Sequence, residues 1–189
     1  MIVLRIGDRW VSASVLRGPR PEALRDPQRL LESLRKAVGR SIVQVFDAGC
    51  VVSVRQIHAA AAAAYLAFRA GTNISRKFEL ELLLRLAADT QIGRVLERLA
   101  VKPGTREVGY CVAAESRERA LECSRAAERI IGGSAMSEEE LRRDERLRRA
   151  MRFYGISEEE VEAVQATDRA EAVLILVLER IATLDLKRR

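Results

Sequence analysis

Two β-prone stretches open the chain, Ile2 to Ile6 and Trp10 to Leu16, and they flank Gly7-Asp8-Arg9. Glycine and aspartate tolerate the tight turn of an antiparallel hairpin, so the pattern predicts one here. Pro19, Pro21 and Pro27 punctuate a loop, after which Leu30, Leu31, Leu34 and Val38 recur at helical spacing before Gly39, a fitting helix stop. Ile42 to Phe46 is a short β-branched run. Ser53 with Gln56 three residues on has the form of a capping box and opens a predicted helix to Gly71. The alanine run of that helix, Ala59 to Ala64, permits close approach of neighbouring elements.

Ser75 is placed to cap a leucine-rich helix from Arg76 to Ala88, and Thr90 to open another through Ile92, Val95, Leu96 and Leu99. Pro103-Gly104 breaks this helical block. Val108 to Ala113 reads as a strand, and Ser116 starts a helix carrying Leu121, Ile130 and Ile131 toward Gly132-Gly133. Ser137 with Glu140 and Ser157 with Glu160 are further capping boxes, and Asp168 is placed to cap the last helix. Between them, Glu138 to Arg149 carries both charge signs and few large apolar groups, which predicts a solvated helix anchored by Leu141 and Leu147.

Strands separated by clustered helices fit an α+β fold better than a regular βαβ alternation. The architecture expected is a single domain over residues 1–189: a small mixed or antiparallel sheet packed against a helical core, with a helical C-terminal third. The length of 189 residues suits one substantial core. A hydrophobic share of 48% and a charged share of 32% are a folded-globular balance.

Charge adds a direction. The net charge of +6 attracts polyanions in general. Only Lys36, Lys77, Lys102 and Lys187 are lysine among the 33 basic residues, so the surface is arginine-rich. The planar guanidinium fork matches phosphate, although base composition of the genome and surface ion-pair networks produce the same bias.

The chemistry of catalysis is poorly represented. Cys50, Cys111 and Cys123 are odd in number and lack C-x-x-C spacing, which argues against a zinc site or a full disulfide framework. His58 is the single histidine, on a predicted helix, and reads as structural. Gly132-Gly133-Ser134 lacks the lysine and spacing of a phosphate-binding loop, and no G-x-S-x-G or G-x-G-x-x-G pattern occurs. Glu138–Glu140 and Glu158–Glu160 fall at helix starts, where the macrodipole favours acids. The chain is therefore expected to bind rather than catalyse, with no cofactor and no small-molecule substrate. The segment from Met1 to Ile6 lacks the pattern of a signal peptide, and the longest aliphatic run, Val173 to Leu178, is far too short to span a bilayer. A cytoplasmic location without membrane contact is expected.

The loop Gly71-Thr72-Asn73-Ile74-Ser75-Arg76-Lys77 departs from a local rule. Arg76 and Lys77 set two positive charges against the positive pole of a helix, where Asp or Glu would be favoured. Free backbone N–H groups beside two cations are suited to holding a phosphate. Arg69 is placed to reach the same site from the preceding helix. The plainer possibility is that Lys77 pairs with Glu81 at i,i+4 and that Arg69 complements its helix C-terminus. With aliphatic Ile74 and flanking Phe78 in place of a stacking sheet, any RNA bound here is expected to be single-stranded or an end. Asn73 is placed to hydrogen-bond a base edge.

The stretch QIHAAAAAAYLAFRAGTNISRKFELELLLRLAADTQIGRVLERLAV, from Gln56 to Val101, resembles the small KEOPS subunit, the PRPK-binding protein, of archaeal type. The resemblance is carried by the alanine-rich helix, the Asn73-Ile74 loop, Glu81 inside a leucine helix, Gln91-Ile92 opening the next helix, and Val45-Phe46-Asp47 upstream. The family usually has glycine where Ala100 stands. The resemblance implies a non-catalytic subunit of the complex that makes threonylcarbamoyladenosine beside the anticodon of ANN-decoding tRNAs. It also implies docking on a small atypical kinase and a grip on the single-stranded CCA end of tRNA. On that basis Arg69, Arg76 and Lys77 are assigned to phosphates and Asn73 and Ile74 to terminal bases, with Ser75 and Arg94 completing the candidate RNA site.

For the kinase, the last helix is apolar nearly all round, and Leu174, Val177, Leu178 and Ile181 are the candidate docking residues. Plain core burial of the same residues is the simpler explanation of the pattern. Two other classes remain open at this point: a scaffold or kinase regulator with no RNA contact, and an enzyme with an unmotifed pocket.

Overall fold

The computed structural model describes residues 1–188. The hairpin consists of β1 (Ile2–Ile6) and β2 (Arg9–Arg17), closed at Ile6 opposite Arg9, so its turn is Gly7-Asp8 alone. Gly7 takes φ +60°, and Asp8 stays outside the left-handed region, as a turn with glycine first requires. Gly7 also lies under a ring: a Cβ there would fall 2.2 Å from Tyr65 Cζ.

Along its other side β2 pairs antiparallel with β4 (Glu107–Ala114), which pairs antiparallel with β3 (Ile42–Asp47). The order is β1-β2-β4-β3. A short β5 (Ser134–Ala135) joins β2 at Leu16 and Arg17, past the end of β1. The α+β expectation is met, with every pairing antiparallel.

Alternation along the strands sends side chains to two helical layers. Val11, Ala13 and Val15 of β2, Cys111 and Ala113 of β4 and Phe46 of β3 face the larger core. That core is completed by α3 (Val54–Ala70), α4 (Phe78–Ala87), α5 (Ile92–Leu99), α8 (Asp144–Tyr154) and α10 (Arg169–Ala182). The opposite face carries Leu16, Val43, Val45, Val108, Tyr110 and Val112 against α2 (Pro27–Val38) and α6 (Arg117–Ile131). The sheet is thus a middle layer between helices.

Most cap signals are realised. Ser116 and Asp168 cap their helices, and the Ser137/Glu140 and Ser157/Glu160 boxes are complete, opening α7 (Glu138–Leu141) and α9 (Glu158–Ala163). Ser53 caps α3 through the Arg55 amide, but Gln56 does not return the bond. Its side chain turns inward, accepting from the Val52 amide and donating to the Tyr154 hydroxyl at 2.6 Å. Burial of that polar pair outweighs a surface cap. Glu138 caps a different helix from its own, accepting the Val54 amide at 2.9 Å.

Three further differences are local. Pro21 opens a one-turn helix, α1 (Pro21–Leu24), inside the expected loop, as proline at the first helical position allows. The Glu138–Arg149 segment is split between α7 and α8, with Leu141 and Leu147 buried as its anchors. Gln91, not Thr90, precedes α5, and Ala100 ends it in extended backbone at φ −65°, where no glycine is needed.

Candidate nucleic-acid interface

Helix α3 ends at Gly71, whose left-handed φ of +67° turns the chain back on itself. The loop that follows is folded around one buried side chain. Glu81, in the first turn of α4, accepts the amides of Ile74 and Ser75 on the same Oε2, each at 2.8 Å. Its Oε1 receives Nε of Arg85 at 2.9 Å, and Arg85 reaches Asp185 at 2.7 Å in the 3₁₀ turn Leu184–Arg188. A buried carboxylate must be neutralised and hydrogen-bonded to be tolerated, and here backbone and guanidinium do both.

Three expectations meet the structure here. Ser75 does not cap α4: it is buried, its hydroxyl accepts the Lys77 amide at 3.2 Å, and Lys77 itself precedes the helix without a side-chain cap. Of the amides next to the two cations, that of Ser75 is held by Glu81 and that of Lys77 by the Ser75 hydroxyl. Glu81 is engaged with Arg85 and the loop, so the i,i+4 pairing of Lys77 with Glu81 is not formed.

The predicted residues then separate. Arg76 and Lys77 are exposed and make no ion pair among the described residues. Asn73 is half-buried and donates to the Ser75 carbonyl at 3.0 Å, which ties up its amide group. Ile74 packs against the larger core. Arg94, on α5, is held by Asp89 at 2.9 Å and stands apart from the groove described next. At the other end, Leu174, Val177 and Ile181 are sealed in the chain's own core, and Leu178 packs against it. Core burial accounts for that helix, whose exposed apolar residue is Ile175.

Arg69 leads to a feature the sequence reading missed. It lines a groove of about 320 Å³ between the hairpin turn, α3 and the start of α4. The groove exists for a packing reason. Val11, Ala113 and Ile42 are cross-strand neighbours in one row of the sheet, and the alanine in that row faces another alanine, Ala61, on α3. Two small side chains leave a hollow at the mouth of the core.

The groove walls are Tyr65, Phe68 and Phe78, in a chain with only four phenylalanines, three tyrosines and one tryptophan. The Phe68 and Phe78 rings lie 5.9 Å apart, tilted by 45°. Arg9, Arg69 and Asp8 supply the polar lining. Tyr65 accepts the Asp8 amide at 3.4 Å, and its hydroxyl, with the charges of Arg9 and Arg69, holds the Asp8 carboxyl below its ordinary range. One signal could have found this face: Tyr65, Phe68 and Arg69 recur at i, i+3 and i+4 on one helix.

Elsewhere the titratable groups are structural. His58 is buried on α3 between the carbonyls of Val54 at 3.1 Å and Val11 at 3.3 Å, and burial pushes its pKa below the usual value. Cys50, Cys111 and Cys123 are buried and unbridged. Among the described residues no group of three or more side chains is arranged to hold a metal ion, and no helix is long and apolar enough to cross a membrane.

The structure thus combines an α+β scaffold with an aromatic-walled groove that carries two arginines. The family described as kinase binding protein CGI-121 matches residues 23–185, and the chain belongs to that family. The match begins after the hairpin, so Asp8 and Arg9 lie outside it. Comparison with curated proteins gave no match.

Proposed function

We propose that this chain is the small, non-catalytic subunit of a KEOPS complex in threonylcarbamoyladenosine synthesis, docking on an atypical kinase and holding the single-stranded CCA end of tRNA. Kinase binding is the description of its family. The RNA reading rests chiefly on Arg76 and Lys77, exposed cations without carboxylate partners among the described residues, on a loop that runs straight into the groove wall at Phe78. Glu81 makes that loop rigid, so the cations are presented on fixed backbone, and the loss of chain freedom on binding a phosphate is small. Arg69 extends the cationic face along α3, and Asn73 keeps its carboxamide oxygen for a base.

Replacing both cations, Arg76→Glu with Lys77→Glu, tests this directly. The proposal expects tRNA affinity at fixed salt to fall while kinase binding is retained. Unchanged tRNA affinity would favour the alternative of a scaffold or kinase regulator that does not touch RNA.

A further inference from the structure

We propose that the free edge of β1 docks a second copy of this chain, the two β1 strands pairing antiparallel about a twofold axis at Leu4 and joining two sheets into one. This partner is independent of the RNA reading above.

The edge is an open rim of backbone. With Ile6 opposite Arg9 across a two-residue turn, Ile6, Leu4 and Ile2 exchange hydrogen bonds with β2. The N–H and C=O groups of Val3 and Arg5 therefore point away from the sheet. Among the described residues no strand pairs with that side of β1, whereas the stretch of β2 beyond it is closed by β5. Soluble proteins blunt such edges with proline, bulges, charges or a covering helix or loop. Strand β1 has an unbroken register and one charged residue, Arg5.

The surfaces flanking the rim are apolar or hollow. Ile2 and Leu4 are exposed, Leu4 at 45%. On α3, His58 and Tyr65 reach the hairpin at Val11 and Asp8. Ala62, four residues after the one and three before the other, lies on the same flank, and Leu66 follows one turn on, 64% exposed. On the other face, Arg119 and Cys123 reach Val38 of α2 from one flank of α6. The opposite flank of α6 holds a hollow of about 370 Å³ lined in part by Glu118, Leu121 and Arg125. Both faces thus leave room for a further strand.

The sequence of β1 selects the occupant. Because Val3 and Arg5 carry the outward backbone groups, an antiparallel self-pairing is centred on Val3, Leu4 or Arg5. Centring on Arg5 sets two cations face to face, and centring on Val3 leaves Ile6 without a partner residue. Centring on Leu4 pairs the whole strand: Ile2 with Ile6, Val3 with Arg5, and each Leu4 with its copy. Apolar side chains then meet apolar ones along the α3 face, and the contact is self-complementary, as a twofold dimer requires. Two five-residue strands bury an area at the low end for specific interfaces, so the dimer is expected to be weak and concentration-dependent.

Sedimentation of the full chain over a concentration series tests this. A monomer–dimer equilibrium is expected. Leu4→Glu and Leu4→Lys should each be monomeric, because a residue on the axis faces its own copy, and mixing the two variants should restore the dimer. Leu4→Cys gives a second readout. Opposed, non-hydrogen-bonded positions of antiparallel strands lie about 4.5 Å apart, within disulfide reach, so mild oxidation should cross-link this variant. The native cysteines are buried and do not compete. A wild-type chain that stays monomeric up to about 1 mM leaves the edge to a strand of a different protein and overturns the proposal. So does a dimer that persists in both charged variants, a dimer that mixing does not restore, or a Leu4→Cys chain that does not cross-link.

Discussion

Arg85 donates its Nε to Glu81 Oε1 at 2.9 Å, and neither side chain is open to solvent. The pair ties the Asn73–Lys77 loop, helix α4 and the C-terminal 3₁₀ turn to one centre. Removing Glu81 leaves the buried Arg85 with Asp185 as its remaining carboxylate and takes the acceptor from two loop amides, so Glu81→Ala should cost about 3 kcal/mol of folding stability. Urea unfolding measures the loss. Hydrogen exchange of the Ile74 and Ser75 amides should speed up in the same variant, and unchanged exchange would show that Glu81 does not hold the loop.

His58 should make stability depend on pH in one direction. Its folded pKa lies below the ordinary 6.5, so the unfolded chain binds the proton more readily. The contribution is fully present above about 6.5 and is lost as pH falls below that toward the folded value. Denaturant midpoints between pH 7.5 and 5.5 should therefore decline, and His58→Gln should flatten that part of the profile.

The cysteines should be inert in the native state. Burial pushes the thiols of Cys50 and Cys111 up to about 12, so the thiolate that reacts is scarce at pH 8. Labelling with a thiol reagent should proceed only as the chain unfolds. Rapid labelling of the folded protein would contradict the packing.

Helix α10 separates core from surface within one turn. Val177→Asp places an unpaired carboxylate at a fully buried site and should cost more than about 3 kcal/mol. Ile175→Asp, at an exposed site, should cost less than about 1 kcal/mol. A folded Ile175→Asp variant that no longer binds the kinase would identify the outer face of α10 as the docking surface.

Much of the scaffold was legible because it depends on neighbours in sequence. The hairpin follows from Gly7-Asp8 between β-prone runs, and the caps at Ser116, Ser137, Ser157 and Asp168 are set by residues three apart. Gln56 was read as a local partner and acts as a distant one, meeting Tyr154 across the core, whereas Glu81 keeps a partner one helical turn away that is Arg85 and not Lys77, and with its other oxygen gathers the loop. Nothing in a one-dimensional pattern shows that this glutamate is buried, since two of its partners are backbone amides of a preceding loop. The groove was hidden for the same reason. Ala61 and Ala113 make space only because the fold brings α3 over β4, and Asp8 meets Tyr65 only through tertiary packing. The cation pair was visible in sequence, but its availability depends on Glu81 being occupied elsewhere.

Salt offers a separate handle on the phosphate contacts. For single strands each neutralised phosphate adds about 0.7 to the slope of log affinity against log salt. Arg76→Ala with Lys77→Ala should thus reduce that slope by about 1.4, measured by salt titration of tRNA binding. An unaltered slope would remove both residues from the contact.

Binding of full-length tRNA, compared at fixed salt with the same tRNA lacking its last three nucleotides, is the most direct measurement. The account predicts that the truncated tRNA loses most of its affinity for this chain while kinase binding is unaffected. Equal affinity for the two tRNAs would contradict it.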